Sequence, residues 1–584
     1  MNIAARILSK GDLTSCAFVD LKGTAITYAG LSEGLRAGVS RLIGEGVKLR
    51  DRVALFTPRG PGGLLGFLTV SSIATCCPID PRLKRDEVQS ALEALSVCAI
   101  VDATGEPMFK ELAGSLGLKF INMAFSATAE GPPPLPAQFR PTSQMTKADD
   151  IALILQTSGT TSRPKLVPLS HANILAAAEA IGRTYKLGTS DVCLNPMPHH
   201  HVHGLISAGL SSLVAGSAQF CASSFSPAVI ESALQELEPT WFTGSPAFHL
   251  GLLDHFKFKK TAPRTARLRF MRSSSAPFPT SAIRPYEALF QIPLLENYGM
   301  TESASTICTN PLPPRARKAG SVGIPIGAEV RVVGADGSVK PIGEDGEILV
   351  RGPSIIIGYV AAESNVNNFH QSWLRTGDIG RFDEDGYLFV LGRLKEIIKR
   401  GGHSVFPMEV DSALVAHPDV ADAVSFAISH PTLGEELVAA FVPRAGAQVN
   451  AGELRAFLED RLSTFKIPNA IFCIPTIPKN ATGKFIRRDM PKLLNALFEP
   501  ECCQPSTETE RLLLQKWKDV LARADFGVTD NVFVFGADPL RAELVCGMIN
   551  EDRGARIGVK DILRNPTVRQ QSELVETLVS GPTY

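Results

Sequence analysis

Neither sign of charge predominates in this chain of 584 residues: lysine and arginine total 59, and so do aspartate and glutamate. A bulk field that would draw the chain to nucleic acid or to an anionic membrane is therefore missing, and recognition has to be local. An apolar run long enough to span a bilayer is missing too. The most apolar stretch, Leu64 to Cys77, is interrupted by Gly66, Thr69, Ser71 and Ser72 and reads as a buried core helix. The eleven cysteines are odd in number, contain no C-x-x-C pair and include the neighbours Cys76-Cys77 and Cys502-Cys503, which fits a reducing compartment better than a disulfide framework. The first residues, Met1 to Arg6, lack the apolar core of an export signal, and the end Pro582-Thr583-Tyr584 is not a peroxisomal address, so a cytoplasmic location is expected. Internal repeats are also lacking.

What is present is alternation. Up to about residue 393, short apolar runs alternate with amphipathic stretches and Gly/Pro punctuation, the pattern of a large α/β unit with helices on both faces of a sheet. Ile151 to Leu155 reads as a strand, and a helix is expected from Ser170 with Ile174, Ala178 and Ile181 on one face. Arg381 to Arg393 reads as a hairpin around Asp385-Gly386, with Tyr387, Phe389 and Leu391 alternating on the exit strand. A smaller α/β unit should cover 394–498, with strands at Ala421 to Ile428 and Leu437 to Val442. Residues Phe498 to Thr509 have linker composition. Beyond them, Thr507 and Glu510 form a capping box ahead of Leu513, Trp517, Val520 and Leu521, so a third, helical unit is expected over 507–580.

Three segments carry chemistry. Thr157-Ser158-Gly159-Thr160-Thr161-Ser162-Arg163-Pro164-Lys165 follows the Ile151 strand directly. Small residues let backbone N–H groups converge on phosphate oxygens, the hydroxyls add donors and Lys165 adds positive charge. A Walker A loop would end in Gly-Lys-Ser/Thr, whereas this one ends Pro164-Lys165-Leu166. Tyr298-Gly299-Met300-Thr301-Glu302 offers a ring on which a base can stack and a carboxylate suited to a hard divalent cation. Asp378, in Thr376-Gly377-Asp378, can accept hydrogen bonds from ribose hydroxyls, and Arg393 offers a fork of donors.

In this order, together with Gly392-Arg393-Leu394-Lys395-Glu396, Gly401-Gly402 and Pro478-Lys479-Asn480-Ala481-Thr482-Gly483-Lys484, these segments resemble the adenylate-forming superfamily of acyl-CoA synthetases, luciferases and nonribosomal adenylation domains. The resemblance implies a large adenylate-forming domain over 1–393, a small mobile α/β domain over 394–498 and ATP as substrate. By the same resemblance Thr157, Ser158, Gly159, Thr160, Thr161 and Lys165 hold the ATP phosphates, while Thr160 and Glu302 position Mg2+. Ser275, Ala276, Pro277, Asn297, Tyr298, Gly299 and Thr301 belong to the nucleotide pocket, and Asp378 and Arg393 clamp the ribose. Lys484 is the catalytic lysine, placing positive charge where negative charge develops as the carboxylate attacks the α-phosphorus. Lys395 is the hinge about which the small domain turns between half-reactions, and Gly401 and Gly402 line the coenzyme A channel.

The run His199-His200-His201-Val202-His203 invites a zinc reading, but adjacent residues of an extended segment point oppositely and no cysteine or carboxylate cluster accompanies them. The resemblance instead puts His201 at the mouth of the acyl pocket, and its wording is closest to oxalyl-CoA synthetases. A pocket of His201, His203, Ser273 and Ser274 suits a short di- or tricarboxylate rather than a fatty chain. The expected product is a free acyl-CoA. Two alternatives stay open: transfer of the acyl group to a separate carrier protein, and a non-catalytic scaffold. The third unit resembles an acyl or peptidyl carrier domain in Phe533-Val534-Phe535-Gly536-Ala537-Asp538. Pro539 stands where carriers have their phosphopantetheine serine, so a carrier fold without covalent phosphopantetheine is expected.

Overall fold

Runs of Val, Ile, Leu and Cys bounded by Gly, Pro and Asp become the strands of the first unit, Met1–Val390. The computed structural model describes residues 1–9, 12–19, 21, 25–125, 145–157, 165–221, 226–430, 433–479, 485 and 487–580. The chain divides into this unit and a second, Leu391–Tyr584.

Two mainly parallel sheets form the body of the first unit. In one, Lys119–Asn122, Ala99–Asp102, Arg52–Phe56, Thr75–Pro78 and Ile151–Thr157 run side by side in parallel, and Lys165–Ser170 closes the edge antiparallel. In the other, Leu294–Met300, Phe270–Ser273, Trp241–Gly244, Val192–Asn195, Ala218–Cys221 and Cys16–Val19 are parallel neighbours. A third, antiparallel sheet holds Glu329–Val333, Gly346–Arg351 and Trp373–Phe382. The helix His171–Thr184 starts at the Ser170 cap and buries Ile174, Ala178 and Ile181 as its spacing requires.

Two expectations change in detail. Leu64 to Cys77 is not one helix: Gly62–Ser71 is helical and Thr75–Pro78 is a strand, both buried, because the β-branched and small residues after Ser71 suit a strand between two parallel neighbours. In the Asp385-Gly386 hairpin, Gly386 takes φ +77° as the turn needs, but the exit strand begins at Leu388, which is fully buried, while Phe389 and Leu391 are half-buried.

The second unit begins with a five-stranded sheet built on the antiparallel pair Val420–His430 and Gly434–Pro443. Ile398–Arg400 and His403–Val405 flank it, joined by Gly401 at φ +55° and Gly402 at φ +85°, the two left-handed positions of a two-residue hairpin turn. Helices Glu508–Leu521, Pro539–Arg553, Val559–Arg564 and Val568–Ser580 follow. The capping box Thr507/Glu510 forms as read, and Trp517 is buried with its indole N–H on Gln571 Oε1 at 2.7 Å. The segment with linker composition is tied down. Asp530 accepts the backbone N–H groups of Glu501, Cys502 and Gly527, and the Phe498 ring stands edge-on to Phe426 and Phe472. No helix among the described residues is long and apolar enough to cross a membrane.

Candidate active site

Strand ends supply the polar groups. Thr157 closes one strand and Lys165 opens the next, and the two are paired across the ladder. Ser158, Gly159, Thr160 and Thr161 lie outside the described residues. Lys165 Nζ donates to Asn368 Oδ1 at 2.9 Å and sits 4.6 Å from the centre of the Tyr359 ring. The Tyr359 hydroxyl in turn donates to Glu302 Oε1 at 2.8 Å, and burial, followed by the Glu302 charge, pushes the phenol well above its ordinary range. Lys165, Tyr359 and Glu302, successively 194 and 57 positions apart in sequence, thus form one polar chain. Tyr359 was not anticipated: it stands in no motif, and only the tertiary fold brings it to the other two.

Glu302 itself is buried on the short 3-10 turn Thr301–Ser303, directly after the strand Leu294–Met300. That strand can turn so tightly because residue 299 is glycine: a Cβ there would lie 1.6 Å from the Ser305 carbonyl oxygen. Tyr298 donates its hydroxyl to Asp378 Oδ2 at 2.5 Å. Burial first and the Asp378 charge second hold the phenol protonated. The base-stacking ring and the ribose carboxylate expected from sequence are therefore neighbours. Ala276 and Pro277 are exposed, as is Ser275, which has a left-handed φ of +77° and bonds to His203.

The histidine run is a turn leading into the π-helix His203–Leu210, not the extended segment that was expected; Gly204 and Gly209 let this helix pack against the Met197-Pro198 backbone and Leu64. His199 and His200 line a cavity of about 250 Å³ with Arg59, Asp80 and Arg82. Burial lowers His199 to about 4 and His200 to about 3, the latter helped by the His201 charge. His203 is buried between Thr243 Oγ1 at 2.7 Å and Ser275 Oγ at 3.0 Å, and burial, then the Arg272 charge, keeps it neutral. Thr243 Oγ1 also receives Arg272 Nε at 3.2 Å. Ser273, next to Arg272 on its strand, faces the other way; its hydroxyl is buried and has no hydrogen-bond partner, and Ser274 is half-buried. Of the four pocket residues named from sequence, the structure joins His203 to the Thr243–Arg272 chain and leaves Ser273 out of it. His201 is half-buried, its ring centre 4.5 Å from that of His200.

In the second unit, Arg393 and Lys395 are exposed around the 3-10 turn Leu394–Glu396. Lys484 lies outside the described residues, but Arg487, three positions on, is anchored. Its guanidinium binds Asp411, Glu396 Oε2 at 3.1 Å and the Ser425 carbonyl at 2.8 Å, which ties the end of the lysine segment to the turn that holds Lys395. The helix Pro539–Arg553 starts with Pro539 in its first turn and Asp538 as cap, accepting from Arg541 N at 2.9 Å.

Comparisons with known proteins fit this arrangement. The AMP-binding enzyme family matches residues 9–360, the AMP-binding enzyme C-terminal domain matches 409–484, and the phosphopantetheine attachment site family matches 511–575. An oxalate–CoA ligase of Arabidopsis thaliana is 35% identical over 479 residues, covering 79% of this chain and 92% of its own. A sulfoacetate–CoA ligase of Cupriavidus necator is 35% identical over 395 residues, 67% of this chain and 76% of its own. The crystal structure of ATP-bound MatB from Rhodopseudomonas palustris superposes with a TM-score of 0.76 at 27% identity, covering 84% of this chain and 100% of that one. One expectation is corrected. The third unit is a carrier domain, as the match over 511–575 shows, and its description as lacking the phosphopantetheine serine is withdrawn. Proline in a first helical turn removes no intrahelical hydrogen bond, so Pro539 leaves the pattern and fold of the domain intact and is too little on which to deny it the arm. Transfer to a separate carrier protein gains no support, since the named relatives are ligases that use coenzyme A. A large adenylate-forming domain, a small α/β domain and a helical carrier domain in one chain make this protein a member of the AMP-binding enzyme family, an AMP-forming acid–CoA ligase.

Proposed function

We propose that the acid is small and carries a second polar or anionic group, a short di- or tricarboxylate or its sulfonate counterpart. The observation that carries this reading is the polar chain Ser275–His203–Thr243–Arg272, buried at its last three members, whereas a pocket for a fatty acid would be lined mainly by apolar side chains. The names of the oxalate and sulfoacetate ligases support it.

The substrate carboxylate attacks the α-phosphorus of ATP, pyrophosphate leaves, and the coenzyme A thiol then displaces AMP from the acyl carbonyl. In this reading Thr157, Ser158, Gly159, Thr160, Thr161 and Lys165 hold the phosphates, and Tyr298 with Asp378 holds the nucleoside together with Ser275, Ala276, Pro277, Asn297, Gly299, Thr301 and Arg393. Lys484 neutralises charge developing at the α-phosphorus. Glu302 and Thr160 would hold Mg2+. The Glu302 carboxylate fits a hard cation, because Tyr359 uses one of its roughly four acceptor positions; the ion, when bound, neutralises phosphate charge. His201 stands at the pocket mouth, Lys395 is the hinge, and Gly401 and Gly402 border the coenzyme A channel. Domain limits of 1–393, 394–498 and 507–580 go with these roles. The eleven cysteines, all free thiols, support a cytoplasmic setting.

A panel of carboxylic acids with ATP, assayed for pyrophosphate release with and without coenzyme A, tests the reading. Short diacids are expected to be used best, and release driven only by medium or long fatty acids would overturn it.

A further inference from the structure

Arg272 is fully buried on the strand Phe270–Ser273 and has no carboxylate within ion-pair distance among the described residues. Its guanidinium reaches Thr243 Oγ1 at 3.2 Å and the Ser207 carbonyl at 3.4 Å, and lies 5.9 and 5.8 Å from the ring centres of Tyr185 and Trp241. Nη2 has no acceptor among the described residues. Buried arginines are almost always paired, because an uncompensated charge in a low dielectric is costly.

The surroundings point the same way. Strand register places Trp241 and Thr243 on the neighbouring strand and Leu295 and Asn297 on the other neighbour, on the face that Arg272 shares. On that face, among the described residues, the Trp241 indole N–H also lacks an acceptor and the Asn297 amide oxygen a donor. Neutral groups make up the rest: Ser207 and Thr306, 3.1 Å apart, and His203, bonded through Thr243. One fixed positive charge with a free N–H, among hydroxyls and a second free N–H, is a set of donors waiting for an anion's oxygens.

We propose that Arg272 determines acid specificity by pairing with a second anionic group, carboxylate or sulfonate, on the substrate. This rests on the reading of a small polar acid and narrows it to dianions. Neutral or purely apolar acids of the same size would leave the buried guanidinium unpaired and are rejected for that reason. The strand holding Arg272 ends at Ser273, two residues before Ser275, which bonds to His203, so the reading group is close in sequence to the expected nucleotide wall.

The test compares the full-length wild type with Arg272→Met and Arg272→Lys in ATP–pyrophosphate exchange. The acids are oxalate, malonate and sulfoacetate on one side and acetate and propionate on the other. Arg272→Met should lower kcat/KM for the dianions by ~100-fold, mostly through KM, and change the monoacids by less than ~3-fold. Lysine keeps the charge but not the fork and should recover part of the loss. Equal losses on both classes, or undiminished use of dianions, would overturn the role of Arg272 while leaving the small-acid reading in place. A wild type that turns over monoacids and ignores all three dianions overturns both. Should Arg272→Met not fold, Arg272→Lys decides: an unchanged ratio of dianion to monoacid kcat/KM counts against the proposal, and a ratio lowered ~10-fold or more supports it.

Discussion

Glu296 gives a stability test whose sign and size follow from one buried carboxyl. It lies on the strand Leu294–Met300, 9% exposed, and accepts a 3.2 Å hydrogen bond from the Gly320 N–H. Burial raises its pKa from the ordinary 4.5 to about 7; the Gly320 N–H opposes this and the Glu287 charge adds to it. The folded state therefore binds this proton more tightly than the unfolded chain. Below pH 4.5 both states are protonated and the group is neutral in its effect. As pH rises toward 7 the folded state alone keeps its proton, and stability falls; above that both states are ionised and the loss is complete. At about 1.4 kcal/mol per pH decade the displacement amounts to ~3 kcal/mol. For a unit of this size that is on the order of 5 °C in Tm. Glu296→Gln keeps the shape and an acceptor for Gly320 but cannot ionise. Melts of wild type and variant from pH 5 to 8.5 should give a variant ~5 °C more stable at pH 8, with the two curves converging near pH 5. Curves that stay parallel across the range, or a variant less stable at pH 8, would refute the argument.

Three further substitutions probe the site and the carrier domain. Lys484→Ala should abolish acid-dependent ATP–pyrophosphate exchange yet largely preserve thioester formation from supplied acyl-adenylate; equal loss of both contradicts the assigned role. Tyr359→Phe withdraws a hydroxyl donated to the buried Glu302 carboxylate and is expected to slow exchange ~10-fold and to move the Mg2+ titration midpoint. An unmoved midpoint would separate Tyr359 from the metal. Trp517→Ala empties the centre of the carrier domain and strands Gln571, at a cost of ~4 kcal/mol, so limited proteolysis should cut the helical domain while exchange survives; simultaneous loss of exchange would show that the adenylating part depends on it.

Local chemistry was legible wherever neighbours in sequence act together. The helix from Ser170, the Thr507 capping box and the Gly386 turn all depend on residues close in sequence, and each forms as its residue types require. The Tyr298–Asp378 bond was half legible: each residue stands in a motif, but the 80 positions between them are bridged only by the fold. Tyr359 and Arg272 were illegible. A lone tyrosine after glycine and a lone arginine in an apolar strand carry no pattern, and their meaning comes from what surrounds them: a buried carboxylate for one, and no ion-paired carboxylate among the described residues for the other.

The carrier domain shows why composition misleads about attachment. Pro, Ser, Thr and Glu between Phe498 and Thr509 suggest a free tether, since such residues bury little apolar surface. A single buried-side acceptor reverses the outcome: Asp530 collects three backbone N–H groups, two of them from the tether, and Gly527 admits the Cys503 backbone at distances a Cβ would forbid. Beyond the tether, Arg564 reaches Glu459 of the small α/β domain at 2.8 Å, and Val534 packs against the apolar group of Val424, Phe426, Ile474 and Met490. The Arg564–Glu459 pair is half-exposed and adds little by itself. Val534 and the Phe498 rings are the stronger tie, because they remove apolar surface from water and cannot be screened by salt. Apolar contacts of this kind make the helical domain and the small α/β domain parts of one packed unit, Leu391–Tyr584.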